Sequence, residues 1–177
     1  LGKNYFESYP DLVKDPTMRS TVEILKGQKE YRKIFDMDFK YIFMWVHTLT
    51  GVKWLKPMSD QDKLKIYQEM YDLAEHLLRE YSGSGKTFMM GNWEGDWLSH
   101  GVGKPNVNPS KERINAMTDW FKIRQAAIDD GKRKNPTSDV GLFYYVEVNL
   151  VKKGLQGRTC ITESVLENVN PDMVSYS

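Results

Sequence analysis

The chain of 177 residues is 40% hydrophobic and 28% charged, which is the composition of one soluble globular domain. Its 25 basic and 24 acidic side chains leave a formal net charge of +1, so no strong attraction to nucleic acid or to an anionic membrane surface is expected. The longest apolar runs, such as 41–46, are too short to span a bilayer. The single cysteine, Cys160, excludes an intrachain disulfide and a cysteine metal cluster, and it leaves the cellular compartment undecided.

The first half of the chain predicts a helix, a strand and a second helix. Apolar residues at helical spacing predict a helix over 15–34, and the aromatic run 39–47 predicts a buried strand. After a loop at 51–57, Ser59 with Asp62 three residues later is typical of a helix N-terminus. The Ser-Gly-Ser-Gly run at 82–85 is expected to end that helix, because glycine readily adopts the left-handed conformation found there.

The second half continues the alternation. It predicts a strand at 86–93, a loop at 95–109, a helix from Ser110 to about Asp130, a strand at 140–151 and a fourth strand at 172–176. Such alternation favours parallel strands joined by crossover helices, an α/β protein. Periodicity does not distinguish an open doubly wound sheet from a closed barrel. A complete eight-stranded barrel needs about 250 residues, so a barrel would be only half to two-thirds present in this single domain, residues 1–177.

Polar and aromatic residues mark the predicted strand ends, where α/β proteins bind their ligands. They are Trp45 and His47, then Asn92, Glu94 and Asp96, then Glu147 and Asn149, and finally Ser175, Tyr176 and Ser177. The alternative is that polar residues occur there only because each strand passes into a loop. Glu94 is the strongest candidate, because Trp93 and Trp97 flank it and would desolvate its carboxyl group, which favours a general acid.

The run Asn92-Trp93-Glu94-Gly95-Asp96-Trp97 after the strand 87–91 resembles the acid/base strand end of retaining (β/α)-barrel glycoside hydrolases. In that family an asparagine directly precedes the catalytic glutamate, whereas Trp93 intervenes here. The later segments 144–149 and 172–177 are similar to later strands of such barrels, so that the resemblance extends over 41–177.

The resemblance implies a TIM-type barrel that cleaves a glycosidic bond in an oligo- or polysaccharide without a cofactor or metal. It implies that Glu94 protonates the leaving oxygen and then activates water. It also implies these substrate-binding residues: Trp45, His47, Asn92, Trp93, Asp96, Trp97, Glu147, Asn149 and Tyr176. A retaining enzyme needs a second carboxylate about 5–5.5 Å away. Either this nucleophile lies on a later strand outside the chain, which we favour and which would leave the chain alone inactive, or Glu147 supplies it. A secreted or periplasmic location is slightly favoured.

Other interpretations have less support. A non-catalytic carbohydrate-binding barrel is the main alternative, and a serine hydrolase is disfavoured because no Gly-x-Ser-x-Gly sequence occurs. The run 82–87 resembles a phosphate-binding loop, but Glu80 replaces a required glycine and the helix precedes the strand instead of following it. The three histidines lack metal-ligand spacing. Trp120 is predicted in the core, and Arg124 at the surface.

Overall fold

The computed structural model describes residues 17–101, 104 and 106–177. Along this part of the chain the secondary-structure elements are α1 (Thr21–Gly27), α2 (Lys29–Asp36), β1 (Tyr41–Trp45), α3 (Asp60–Glu80), β2 (Thr87–Gly91), α4 (Gly95–His100), α5 (Lys111–Lys134), β3 (Gly141–Val148), α6 (Val151–Gly154), α7 (Ile161–Ser164), a 3-10 turn (Leu166–Asn168) and β4 (Met173–Tyr176). None of the helices in these described residues has the length and apolarity needed to cross a membrane.

The four strands form one parallel sheet in the order β1-β2-β3-β4, which confirms the predicted α/β class. Each strand lies next to its predecessor, and each crossover advances in the same direction. Since such crossovers are almost always right-handed, the connecting helices lie on one face of the sheet. The sheet is open: β1 and β4 are its two edges.

The main core lies between the sheet and the long helices α3 and α5. Alternate strand residues point toward these helices, and all of the following are at most 8% exposed: Ile42, Met44, Phe88, Met90, Leu142, Tyr144, Val146 and Val148. Leu73 and Leu77 of α3 and Phe121 and Ile128 of α5 meet them with no exposed surface. At about 25 cal/mol per Å² of apolar surface, this burial is the main source of stability for the fold.

The opposite face of the sheet is partly exposed and aromatic. Tyr41 and Phe43 of β1 are 61% and 62% exposed, and Phe143 of β3 is 39% exposed. The prediction of β1 as a strand is confirmed, but the prediction that it is buried is wrong for one of its faces. Its exposure alternates residue by residue because the described part of the chain places no helix over that side.

The helix predicted over 15–34 is two helices in the structure, and its start at Asp15 lies outside the described residues. The backbone of Gln28 is extended (φ −91°, ψ 113°) and separates α1 from α2. Gly27 ends α1 against the Met18 side chain, where a Cβ atom would collide with the methionine methyl group. Glycine is a poor helix residue, so the break coincides with the weakest point of the pattern.

The two predicted helix caps are confirmed. The hydroxyl of Ser59 accepts the Asp62 amide, and that of Ser110 accepts the Arg113 amide, each at 3.2 Å. The predicted loop at 95–109, of which Val102, Gly103 and Pro105 lie outside the described residues, instead begins with the short helix α4. This helix was not predicted because six residues show too little periodicity, and tertiary contacts of Asp96 hold it in place.

Candidate functional site

The carboxylate of Glu147, near the end of β3, connects the ends of all four strands. Its Oε2 accepts the Trp45 indole N–H at 3.2 Å, and its Oε1 accepts the Glu94 amide at 2.8 Å and the Ser177 hydroxyl at 3.2 Å. Glu147 is only 6% exposed. The structure therefore brings the Trp45 indole and the Glu94 amide to Glu147, and it uses the Glu147 carboxylate for internal hydrogen bonds.

Glu94 follows β2 and has a left-handed backbone, with φ 36° and ψ 67°. Side chains with a Cβ atom disfavour this conformation, and such strain is concentrated at functional sites. The Glu147 carboxylate holds the strained residue through its amide. The side chain of Glu94 is half-buried, and no residue of the described part of the chain donates a hydrogen bond to its carboxylate.

Asp96 has an internal role instead of the predicted contact with substrate. It is 0% exposed, and its carboxylate accepts three backbone amides: Asn149 at 2.7 Å, Leu150 at 3.0 Å and Ile161 at 2.8 Å. These bonds fasten the first turn of α4 to the segment after β3 and to the start of α7. A carboxylate enclosed in this way cannot reach a ligand.

The two predicted asparagines also take part in this internal network. The side-chain oxygen of Asn92 accepts the Glu147 amide at 3.2 Å, and Asn92 is 1% exposed. The side-chain oxygen of Asn149 accepts the Asp96 amide at 3.3 Å, and its amide nitrogen donates to the Ser177 hydroxyl at 2.7 Å. Both asparagines therefore fix the geometry of the strand ends.

Beside this network lies an open cleft of about 450 Å³ between the segments that follow β1 and β2. Its wall includes His47, Thr48, Trp54, Asn92, Trp93 and Trp120. Glu94 is not part of the wall, although its neighbour Trp93 is. The volume falls within the range of about 300–1,000 Å³ that is usual for small-molecule sites.

A stacked column of side chains connects the core to this cleft. Trp54 lies parallel to Trp120, with 4.0 Å between ring centroids and 2° between planes, and the Arg124 guanidinium lies 4.7 Å from the Trp120 centroid. Because Trp54 covers one face of Trp120 so closely, Arg124 can only occupy the other face. Arg124 is also 5.5 Å from the ring centroid of Tyr144. The order is thus Tyr144, Arg124, Trp120, Trp54, an arrangement that combines cation–π and ring stacking.

The prediction that Arg124 lies at the surface is wrong, since it is 0% exposed. Its two terminal nitrogens donate to the carbonyls of Val46 and Gly91, at 3.0–3.1 Å, where β1 and β2 end. The helical periodicity of 110–130 gave no sign of this, because an arginine between apolar turns is usually solvated. The predicted core position of Trp120 is confirmed at 6% exposure.

His47 follows β1 and lines the cleft, as expected for a residue that contacts a ligand. Burial of the imidazole, with a smaller contribution from the positive charge of Arg124, lowers the pKa of His47 to about 4. The side chain is therefore neutral near pH 7.

This lowered pKa predicts a pH-dependent loss of stability. When the pH is lowered from about 7.5 to about 5, we expect protonation of His47 in the unfolded chain to reduce the free energy of unfolding by roughly 1–2 kcal/mol, a value that allows for solvent screening of the partly exposed side chain. The unfolded chain takes up a proton near pH 6.5, whereas the folded chain resists it until about pH 4, so acid favours unfolding. Urea denaturation of wild type and of His47→Gln at both pH values isolates this contribution. Equal pH dependence in the two proteins would contradict it.

The other two predicted substrate-binding residues, Trp97 and Tyr176, do not line the cleft. Trp97 lies half-buried in α4. Tyr176 pairs in register with Val148, on the opposite face of the sheet from Glu147, and it is 73% exposed. Its neighbour Ser177 contacts Glu147 instead. Trp54 was missed because it lies in a predicted loop. A tryptophan between Gly51 and Pro57, in the loop that follows a strand end, is the signal that could have identified it.

Within the described residues, no group of three or more His, Cys, Asp or Glu side chains could hold a metal ion. Comparison with family models, with curated proteins and with solved structures found no match for the chain. The functional assignment therefore depends on the geometry of the strand ends and the cleft.

Proposed function

We propose that this chain is part of a (β/α)-barrel glycoside hydrolase in which Glu94 is the general acid/base. The observation that carries the proposal is the strained, left-handed Glu94 at the carboxyl end of β2, whose amide is held by the Glu147 carboxylate and whose own carboxylate accepts no hydrogen bond from the described residues. In the first step the protonated Glu94 gives its proton to the leaving oxygen of the glycosidic bond. In the second step the ionised Glu94 takes a proton from the attacking water.

The sheet supports the barrel part of the proposal. Sequential strand order with helices on one face is the arrangement of a (β/α) barrel, whereas a doubly wound sheet reverses its order and is covered on both faces. In a closed barrel the exposed aromatic face with Tyr41, Phe43 and Phe143 would face the interior. Four further parallel strands between the edges β1 and β4 would close the sheet and cover this face.

The second carboxylate of the reaction is proposed to come from those further strands. Glu147 is the alternative source, but its carboxylate already accepts three hydrogen bonds and is 6% exposed. A nucleophile must approach the anomeric carbon, and Glu147 would have to lose these bonds to do so. We therefore assign it a positioning role for Glu94, and we expect the chain without the remaining strands to be catalytically inactive.

Replacing Glu94 with glutamine in the complete barrel tests the proposal. We expect turnover of glycosides with a poor leaving group to fall at least about 100-fold, because an amide cannot donate the required proton. Glycosides with an acidic phenol as leaving group should be cleaved in the first step almost as before, because that group leaves without protonation. The burst of released phenol and the steady-state rate are measured separately.

The matched control is Glu80→Gln, which changes an exposed glutamate at the far end of α3. It should leave turnover unchanged, and thermal unfolding should show that both variants remain folded. Normal turnover of poor-leaving-group substrates by Glu94→Gln would refute the assignment.

A carbohydrate-binding barrel without catalysis is the second candidate. It is favoured by one specific observation, that Trp54, Trp93 and Trp120 line the cleft whereas Glu94 does not. It predicts glycan binding by calorimetry and no product from any glycan with the complete barrel.

A further inference from the structure

Taking the proposed glycosidase function as the premise, we propose that the cleft beside Glu94 is a subsite for an uncharged sugar ring, with the indole of Trp54 as its platform. The sugars would be neutral hexoses or pentoses of a glycan chain, and sugars that carry a carboxylate or phosphate would be excluded.

The stacked column makes Trp54 a rigid platform. One face of its ring is covered by Trp120 at 4.0 Å, and Trp120 is in turn fixed by the buried Arg124. Trp54 lines the cleft and is half-buried, so that the remaining surface of its indole is what it offers to a ligand. A platform held in place before binding loses little conformational freedom when a ligand arrives, which favours affinity.

The wall of the cleft suits the two kinds of surface on a sugar ring. Trp54 and Trp93 present flat apolar groups for the C–H faces of the ring. Thr48 provides a hydroxyl that can donate to and accept from ring hydroxyls. Small-molecule sites likewise combine apolar surfaces with polar groups that fix the orientation of the ligand.

The charges around the cleft favour a neutral ligand. Within the part of the chain that the structure describes, no Asp, Glu, Lys or Arg side chain lines it. The nearby Arg124 lies on the far side of Trp120, and its terminal nitrogens already donate to the Val46 and Gly91 carbonyls. It therefore cannot form a direct ion pair with a ligand. A carboxylate or phosphate in the cleft would lose water without gaining a charged partner, which is unfavourable.

Binding of oligosaccharides to the chain itself tests the proposal, with Glu94→Gln present in every protein so that binding is separated from cleavage. We measure dissociation constants by calorimetry for neutral β-linked and α-linked glucose, mannose and xylose oligomers, and for oligogalacturonate as the acidic probe. We expect at least one neutral series to bind at least about tenfold more tightly than the acidic probe. Trp54→Ala should weaken that binding at least about tenfold, and Trp54→Phe should restore part of it.

The control is Tyr71→Ala, which removes another half-buried, stacked aromatic, one that lies on α3 and does not line the cleft. It should bind like the parent protein, and circular dichroism should show that all variants are folded. Equal affinity of Trp54→Ala and its parent, preference for the acidic probe, or no binding to any neutral series overturns the proposal. Failure of the glycosidase proposal has a different signature: normal turnover by Glu94→Gln in the complete barrel.

Discussion

Replacing Asp96 with alanine should reduce the free energy of unfolding by about 3–5 kcal/mol, the largest effect of any substitution considered for this protein. The carboxylate is fully buried and accepts the amides of Asn149, Leu150 and Ile161. Without it, the buried Ile161 amide and the partly buried amides of Asn149 and Leu150 all lose their acceptor. Since a domain of this size is stable by about 5–15 kcal/mol, such a loss is a large fraction of the total. Urea denaturation followed by circular dichroism measures it.

Asp139→Ala is the matched control, because Asp139 also accepts two backbone amides, those of Gly83 at 2.6 Å and Gly85 at 3.1 Å. Asp139 is exposed, so water replaces the lost acceptor and the loss of stability should be much smaller than at Asp96. Asp96→Asn should be intermediate, since it keeps one acceptor oxygen but places an N–H donor against a backbone N–H. If Asp96→Ala and Asp139→Ala reduced the free energy of unfolding equally, burial of the carboxylate would not determine the size of the reduction.

The second large effect is expected for Arg124→Met, which should reduce the free energy of unfolding by about 2–4 kcal/mol. Methionine fills much of the arginine volume, but it removes the donors to the Val46 and Gly91 carbonyls and the cation between Trp120 and Tyr144. Because these carbonyls mark the ends of β1 and β2, the positions of His47 and Asn92 should shift as well. The tryptophan fluorescence spectrum should therefore change together with the denaturation midpoint.

Arg133→Met on the same helix is the control. Arg133 has 72% of its side chain exposed and pairs with Asp130 one turn earlier, and exposed pairs contribute little. We expect a change within about 0.5 kcal/mol. A variant Arg124→Met as stable as wild type would mean that the lost hydrogen bonds are offset by the removal of a buried charge, which occurs in some proteins.

The local parts of the fold were predictable because their signals lie within a few residues of one another. Ser59 and Ser110 each satisfy an amide three positions later, and the alternation of helix and strand follows from the spacing of apolar residues. The break at Gln28 and the short helix α4 were not predictable in the same way. Gly27 was only a weak local signal for the break, and α4 depends on the contacts of the Asp96 carboxylate with distant segments.

The candidate site was predictable only in part, for a similar reason. The strand ends were located correctly, and Trp45, Glu94 and Glu147 do lie together. The roles of these residues could not be predicted, because the residue type does not show whether a carboxylate binds substrate or accepts hydrogen bonds from backbone amides. Asp96 belongs to the second kind. The Glu147 carboxylate is also occupied, by the Glu94 amide, the Trp45 indole N–H and the Ser177 hydroxyl.

The sequence by itself determined the class of the protein, the order of its main elements and the edge of the sheet where its polar residues collect. These follow from hydrophobic periodicity and from the direction of parallel strands, which are properties of neighbouring residues. Only the tertiary structure decided that Arg124 is buried, that Trp54 stacks on Trp120 beside a cleft, and that Glu94 has a left-handed backbone. Those outcomes depend on which groups from distant segments meet, and on whether water or protein satisfies their hydrogen bonds.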